Sequence, residues 1–286
     1  MSLDGDTLSE RPPSSICAIV LTLDEEDNVD RCLASVGWCD DLVVVDSGST
    51  DSTIARARTT GARVFQHLQE PPFRISDQRN WALDNCDVAC DWVLFLDADE
   101  VVPEPLRQEI CRRTSETVAD GLQLPQKYLF LGRWMQRSQR YPQWHDRLVR
   151  VGVGGFEGGV WEHFSAAVRT EKLGEPYLHF ANSKGFSEWL IRHDRYSSWE
   201  AEAIVRYLGG QGRSSFRTRR RLGARAAAAH LWPARPLLRF LYTYFVRLGF
   251  TEGVPGLMLA LRYAMYEYMI VEKVAESSRH KQGRDL

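Results

Sequence analysis

The residues most able to do chemistry are Asp97-Ala98-Asp99-Glu100, which close the apolar run 92–96. Two carboxylates two positions apart on a short loop repel each other and call for a compensating cation. Hard divalent ions such as Mg²⁺ or Mn²⁺ favour oxygen ligands of this kind and commonly share them with substrate phosphates. Alone, the pattern also fits an acidic strand-ending loop of no special function. Two further polar tips follow apolar runs upstream, Thr22-Leu23-Asp24-Glu25-Glu26 and Asp46-Ser47-Gly48-Ser49-Thr50-Asp51. Asp46 could accept hydrogen bonds from a bound base or ribose, with Gly48 and the serines admitting a ligand close to the backbone. Its plainer reading is a turn former, and Asp51 reads as the N-cap of the next helix.

The elements that must position these tips are legible in the hydrophobic pattern. Strands are expected at 16–21, 42–45, 63–65 and 92–96, with helices at 25–36, 53–60 and 77–85 between them. This alternation predicts a mostly parallel α/β sheet with helices on both faces. In such sheets ligands bind beyond the carboxyl ends of the strands, where all three tips fall. From about residue 101 the pattern loosens, and 132–164 is rich in Trp, Gly and Arg. Trp134, Trp144 and Trp161 could line a cleft, since aromatic faces stack on sugars and bases, or could fill a β-rich core. Helices are expected at 187–208, closed by Gly209-Gly210, and then at 236–250 and 255–274, with Gly253 and Pro255 at the turn. Three regions result: a disordered lead-in at 1–14, an α/β domain at 15–180 and a helical region at 181–286.

Composition is that of an ordinary globular chain of 286 residues, 44% hydrophobic and 26% charged. All six cysteines lie within the first 111 residues without a C-x-x-C pair, which suits free thiols in a reducing compartment. No apolar stretch is long enough to span a bilayer. The net charge of −2 hides a segregation: 203–251 holds ten arginines and no Asp, Glu or Lys. With Phe240, Tyr242, Tyr244 and Phe245 interleaved, this window suits an anionic membrane surface better than nucleic acid, although a solvated helix face has the same look.

No G-x-G-x-x-G follows the first strand and no G-x-x-x-x-G-K-[ST] occurs, which argues against dinucleotide enzymes and P-loop NTPases. A haloacid-dehalogenase-like phosphatase carries its D-x-D on the first strand, not the fourth. The stretches Ile19 to Glu26, Val43 to Asp51 and Asp91 to Glu100 instead resemble family 2 glycosyltransferases of GT-A fold. Tyr141 to Leu148, Val160-Trp161-Glu162, His179, Tyr196-Ser197 and Arg235 to Leu241 are similar to the lipopolysaccharide-core β-1,4-glucosyltransferase subgroup.

The resemblance implies that Leu21, Thr22 and Glu25 line a nucleotide pocket, Asp46 meets the uracil or ribose, and Arg79 reaches the base or diphosphate. Asp97 would lie near the ribose and metal, Asp99 would hold a divalent cation (Mg²⁺ or Mn²⁺), and Glu162 would be the catalytic base. Two positions depart from the family pattern: Asp24 stands where Asn is usual, and Trp161 where His usually precedes the base. Asp146 and Glu157 are the alternative bases. The implied activity is inverting transfer from a nucleotide-sugar donor to a glycan or glycolipid acceptor, at the cytoplasmic face of the inner membrane. A sugar-phosphate nucleotidyltransferase is the enzymatic rival, but the acidic loop 23–27 lacks the Gly-rich basic character that class needs. A membrane-surface module with structural acids is the non-enzymatic one.

Overall fold

The computed structural model describes residues 14–70, 73–158, 162–208 and 234–281. They divide into two compact units, one formed by residues up to 128 and 142–183, the other by 129–141 and residues from 184 onward.

The first unit is built on β1 (Ile16–Thr22), β2 (Asp41–Asp46), β3 (Arg63–Gln66) and β4 (Trp92–Asp97), which pair in parallel in the order β3-β2-β1-β4. The sheet continues with β8 (Trp144–Arg150), antiparallel to β4, and β6 (Gly121–Phe130), antiparallel to β8, and then with β12 (Tyr177–Phe180) and β5 (Glu100–Val101), antiparallel to each other. Every residue of β1 is buried, as a central parallel strand covered on both faces requires. Its side chains alternate between two cores. Ala18 and Val20 join α1 (Val29–Ser35), α2 (Thr53–Thr59) and α4 (Glu104–Glu116) through Leu33, Ala57 and Leu106. Cys17, Ile19 and Leu21 face α3 (Ile75–Asn85) and pack with Ala82, Phe156 and Phe164. The mixed, mostly parallel sheet flanked on both faces is thus the α/β architecture the alternation predicted.

Short strands complete this unit. β9 (Phe156–Glu157) pairs with β10 (His163–Phe164), and β11 (Thr170–Lys172) pairs with β6. Trp144 is half-exposed and is pinned at the start of β8 by its Nε1–H to Leu173 O at 3.1 Å and by the Lys172 ammonium 4.1 Å over its ring. Trp161 lies outside the described residues.

The second unit holds α5 (Gly185–Leu208), α6 (Ala234–Leu241), α7 (Gly253–Lys281) and the hairpin strand β7 (Arg133–Trp134). Ala201, Ile204, Ile270 and Val274 form the seam between α5 and α7. The continuous helix expected over 236–250 is not formed. α6 stops at Leu241, a π-helical turn follows at Tyr242–Val246, Leu248 turns left-handed (φ 59°), and a 3₁₀ turn spans Gly249–Glu252. At the break Gly256 of α7 approaches Gly249 so closely that an added Cβ would lie 2.0 Å from the Gly249 oxygen. The proposed cap Gly209-Gly210 falls outside the described residues.

Candidate active site

Register brings the three polar tips to one edge. Thr22 pairs with Asp46 across β1–β2, and Leu21 pairs with Asp97 across β1–β4. With strands ~4.8 Å apart, the backbones of Asp46 and Asp97 stand only about 10 Å from each other. The first two tips are also interlocked. Asp24, left-handed at φ 52°, accepts the Thr50 N–H at 2.7 Å, and its own N–H donates to Ser49 Oγ at 2.8 Å. The Glu25 N–H donates to Thr53 Oγ1 at 2.7 Å, and the Glu26 N–H to Asp51 Oδ2 at 3.1 Å. Ser52 stands at the N-cap position of α2 without a side-chain cap bond, and the carboxylate of Asp51, one residue earlier, takes the Thr53 N–H at 2.9 Å while tying the two loops together.

Asp46 is fully buried and is the hub of this loop. It accepts Thr22 Oγ1–H at 2.9 Å, the Gly48 and Ser49 N–H groups at 2.9 and 2.8 Å, and the Ser49 hydroxyl. Its carboxylate shapes the backbone that follows, leaving Gly48 at φ 101°, a conformation glycine adopts without strain. Leu21 is buried in the second core. Glu25 accepts Asn28 Nδ2–H at 2.8 Å beside the start of α1.

The fourth-strand tip sits in a buried ionic network. Arg79, wholly buried on α3 between Phe95 and Phe156, places Nη2 at 3.3 Å from Asp97 Oδ1 and Nη1 at 3.1 Å from Glu162 Oε1. Arg147 on β8 meets Asp97 Oδ2 at 3.2 Å, Glu100 Oε1 at 2.5 Å and Glu162 Oε1 at 4.0 Å. The pairing of β6 with β8 explains its reach. Leu122 opposes Leu148 and Gln123 opposes Asp146, so Arg147 is the extra residue of a β-bulge, which re-aims a side chain. Glu100 is fully buried and also accepts the Asp97 N–H at 3.0 Å, which tightens the turn. Burial pushes the Glu100 carboxyl up to about 7, against the pull of Arg147. Burial would raise Asp97 as well, but Arg147 and then Arg79 hold it well below the usual carboxylate range.

Asp99 faces β12. Its Oδ2 lies 3.2 Å from His179 Nε2, while His179 Nδ1 meets Gln126 Nε2 at 2.6 Å. Burial works against the imidazolium, but Asp99 outweighs it and raises the pKa of His179.

Asp97, Asp99, Arg79 and Glu162 are therefore brought together, with Thr22 and Asp46 one and two strands away. Of the alternative bases, Asp146 is engaged by Gln123 Nε2–H at 2.7 Å and the Phe164 N–H at 2.6 Å, and Glu157 is exposed on β9. Sequence reasoning missed the parts played by Arg147 and Glu100. The signal for both was a charged residue inside or abutting an apolar strand, where only a buried partner makes it tolerable.

Residues 17–152 match the family model "Glycosyl transferase family 2". The lipopolysaccharide core biosynthesis glycosyltransferase LpsC of Rhizobium meliloti is 26% identical over 280 residues, covering 92% of this chain and 93% of its own. Glucosyl-3-phosphoglycerate synthase of Mycobacterium tuberculosis is 33% identical over 110 residues, covering 36% and 34%. Among solved structures, residues 1–349 of S. aureus TarS in complex with UDP-GlcNAc align over 94% of this chain and 92% of that one, at 18% identity and a TM-score of 0.48.

Proposed function

We propose that this chain, whose residues 17–152 match the family 2 glycosyltransferase model, moves a sugar, with inversion, from a UDP-linked donor to a lipopolysaccharide-core or other lipid-linked glycan. The observation that carries the reading is the in-register alignment of Thr22, Asp46 and Asp97 beside the Asp99–His179 pair. The backbone ordered by Asp46, with Leu21, Thr22 and Glu25, receives the nucleoside. Asp97, held by two guanidiniums, faces the ribose.

The residues present fit a divalent ion in a specific way. Among the described residues no three His, Cys, Asp or Glu side chains form a self-sufficient metal cluster. Mg²⁺ and Mn²⁺ sites, however, often take one or two protein ligands and complete their shell with substrate phosphate oxygens. Asp99 and His179 would hold such an ion, which when bound neutralises charge on a departing diphosphate. Glu162 takes the proton of the acceptor hydroxyl as its oxygen attacks the anomeric carbon from the face opposite the leaving group. Arg79 orients both Asp97 and Glu162, so the donor-side and acceptor-side carboxylates are fixed by one guanidinium.

The likeness to LpsC along nearly the whole chain supports a lipopolysaccharide-core acceptor and hence work at the cytoplasmic face of the inner membrane. No described helix is long and apolar enough to cross a membrane. Turnover of a panel of α-linked sugar nucleotides with Mn²⁺, followed by NMR of the transferred sugar, tests the reaction. A β-anomeric product supports it; an α-anomeric product, or formation of a sugar nucleotide from sugar phosphate, contradicts it.

A further inference from the structure

The broken helix of the second unit exposes a tip whose composition is unlike the rest of the surface. Leu238, Leu241, Phe245, Val246, Phe250 and Val254 are all exposed, Val246 and Val254 at 68%. They fall on the end of α6, the π-helical turn, the 3₁₀ turn and the start of α7. Phe240, Tyr244, Phe245 and Phe250 contact one another with ring centroids 5.1 to 6.5 Å apart, forming a cohesive aromatic base. Exposed apolar clusters of this kind mark interaction sites.

Charge identifies the occupant. Between Glu202 and Glu272 the chain has two acids, Glu252 and Glu267. Both are buried: Glu252 accepts the Arg137 N–H at 2.7 Å and the Ser138 hydroxyl at 2.5 Å, and Glu267 pairs with buried Arg235 at 2.5 Å. The 129–141 hairpin, itself free of acids, lies against the same turns. Arg133 Nη2–H donates to Thr251 O at 3.2 Å, Arg140 Nη2–H to the Tyr242 hydroxyl at 2.9 Å, and Arg247 Nε–H to Arg137 O at 3.2 Å. These contacts set Arg133, Arg137, Arg140 and Arg247 around the apolar tip, with no exposed acid on the segments that form it. An apolar tip inside a cationic collar matches a leaflet with anionic headgroups, the rings at headgroup depth and the guanidiniums on the phosphates.

We infer that this tip is a membrane anchor: the π and 3₁₀ turns insert shallowly into an anionic leaflet and the hairpin arginines grip its headgroups. The inference rests on the proposed membrane-borne acceptor only for its purpose, and its test uses no sugar.

The full chain is mixed with vesicles of phosphatidylethanolamine and phosphatidylglycerol, and separately with phosphatidylcholine alone, and pelleted. Binding to the anionic vesicles is expected, weakened at least tenfold by Val246→Asp with Val254→Asp, and weakened comparably by Arg137→Glu with Arg140→Glu or by high salt. All four positions are exposed, so circular dichroism should be unchanged, and Mn²⁺-dependent UDP affinity measured on the same samples reports the catalytic reading separately. Three results would overturn the inference: no pelleting at low salt, pelleting unaffected by either double variant, or a wild-type dimer that Val246→Asp dissociates without any vesicle binding. A variant pair that misfolds leaves the wild-type comparison of anionic with zwitterionic vesicles to decide.

Discussion

At the scale of residues, Arg79 and Arg147 govern the site although neither is exposed to solvent. A buried guanidinium is stable only with its carboxylates, and here three acids, Asp97, Glu100 and Glu162, share two of them. Removing one partner leaves uncompensated charge in the interior. Arg147→Met should therefore lower the unfolding free energy by about 3–5 kcal/mol, read by denaturant titration. A loss below about 1 kcal/mol would mean that the network is loosely solvated. Glu162→Gln keeps the shape of the side chain and removes its basicity. The expected outcome is a fall in kcat of about 10²–10⁴-fold with UDP affinity unchanged. A matching loss of UDP affinity would instead assign Glu162 to donor binding.

At the scale of elements, the second unit depends on a close helix approach and on a neutral histidine. A Cβ at position 256 would stand only 2.0 Å from Gly249 O, so Gly256→Ala must displace α7 or the 3₁₀ turn. Overpacking of this sort costs about 1–3 kcal/mol, and thermal unfolding of the variant should show it. His193 on α5 stacks on Trp189 at 4.0 Å and meets Tyr266 of α7 edge-on at 5.2 Å. Burial, aided by Arg192 and Arg262, lowers it from 6.5 to about 4. The unfolded chain therefore binds the proton first as pH falls. The stability that neutral His193 contributes is complete above about 6.5 and is lost progressively towards about 4. Melting temperature should fall across that window more steeply in the wild type than in His193→Gln, and parallel slopes would refute this account of the α5–α7 seam.

The elements also show where sequence was transparent. Buried parallel strands announce themselves as unbroken apolar runs, so β1, β2 and β4 were legible to within a residue or two. Helix α4 was not, because its buried face is only the narrow Leu106, Ile110, Thr114 stripe behind Pro103 and Pro105. The broken helix near Gly249 was hidden for a different reason. Residues 236–250 have helical periodicity, yet Leu248 turns left-handed and Gly249 packs against Gly256, a contact from outside the segment. At the site, the polar strand ends were readable as a set. Their internal wiring was not: the acceptors of Asp46 are filled by its own loop, and Arg147 is turned towards Asp97 by a bulge that no local pattern encodes.

At the scale of the whole molecule, the proposed chemistry and the proposed attachment fall to different units. The first unit concentrates carboxylates at the carboxyl ends of a parallel sheet, and the second concentrates arginine and exposed apolar side chains. Net charge near neutrality conceals this division, which explains why overall composition says little about function. The central claim is that the strand ends of the first unit bind a nucleoside diphosphate through a metal held by Asp99 and His179. Calorimetric titration of UDP with and without Mn²⁺ tests it most directly. The account predicts an affinity that rises at least tenfold with Mn²⁺ in the wild type and an increment abolished in both Asp99→Ala and His179→Ala; UDP binding indifferent to Mn²⁺, or enhanced equally in those variants, would contradict it.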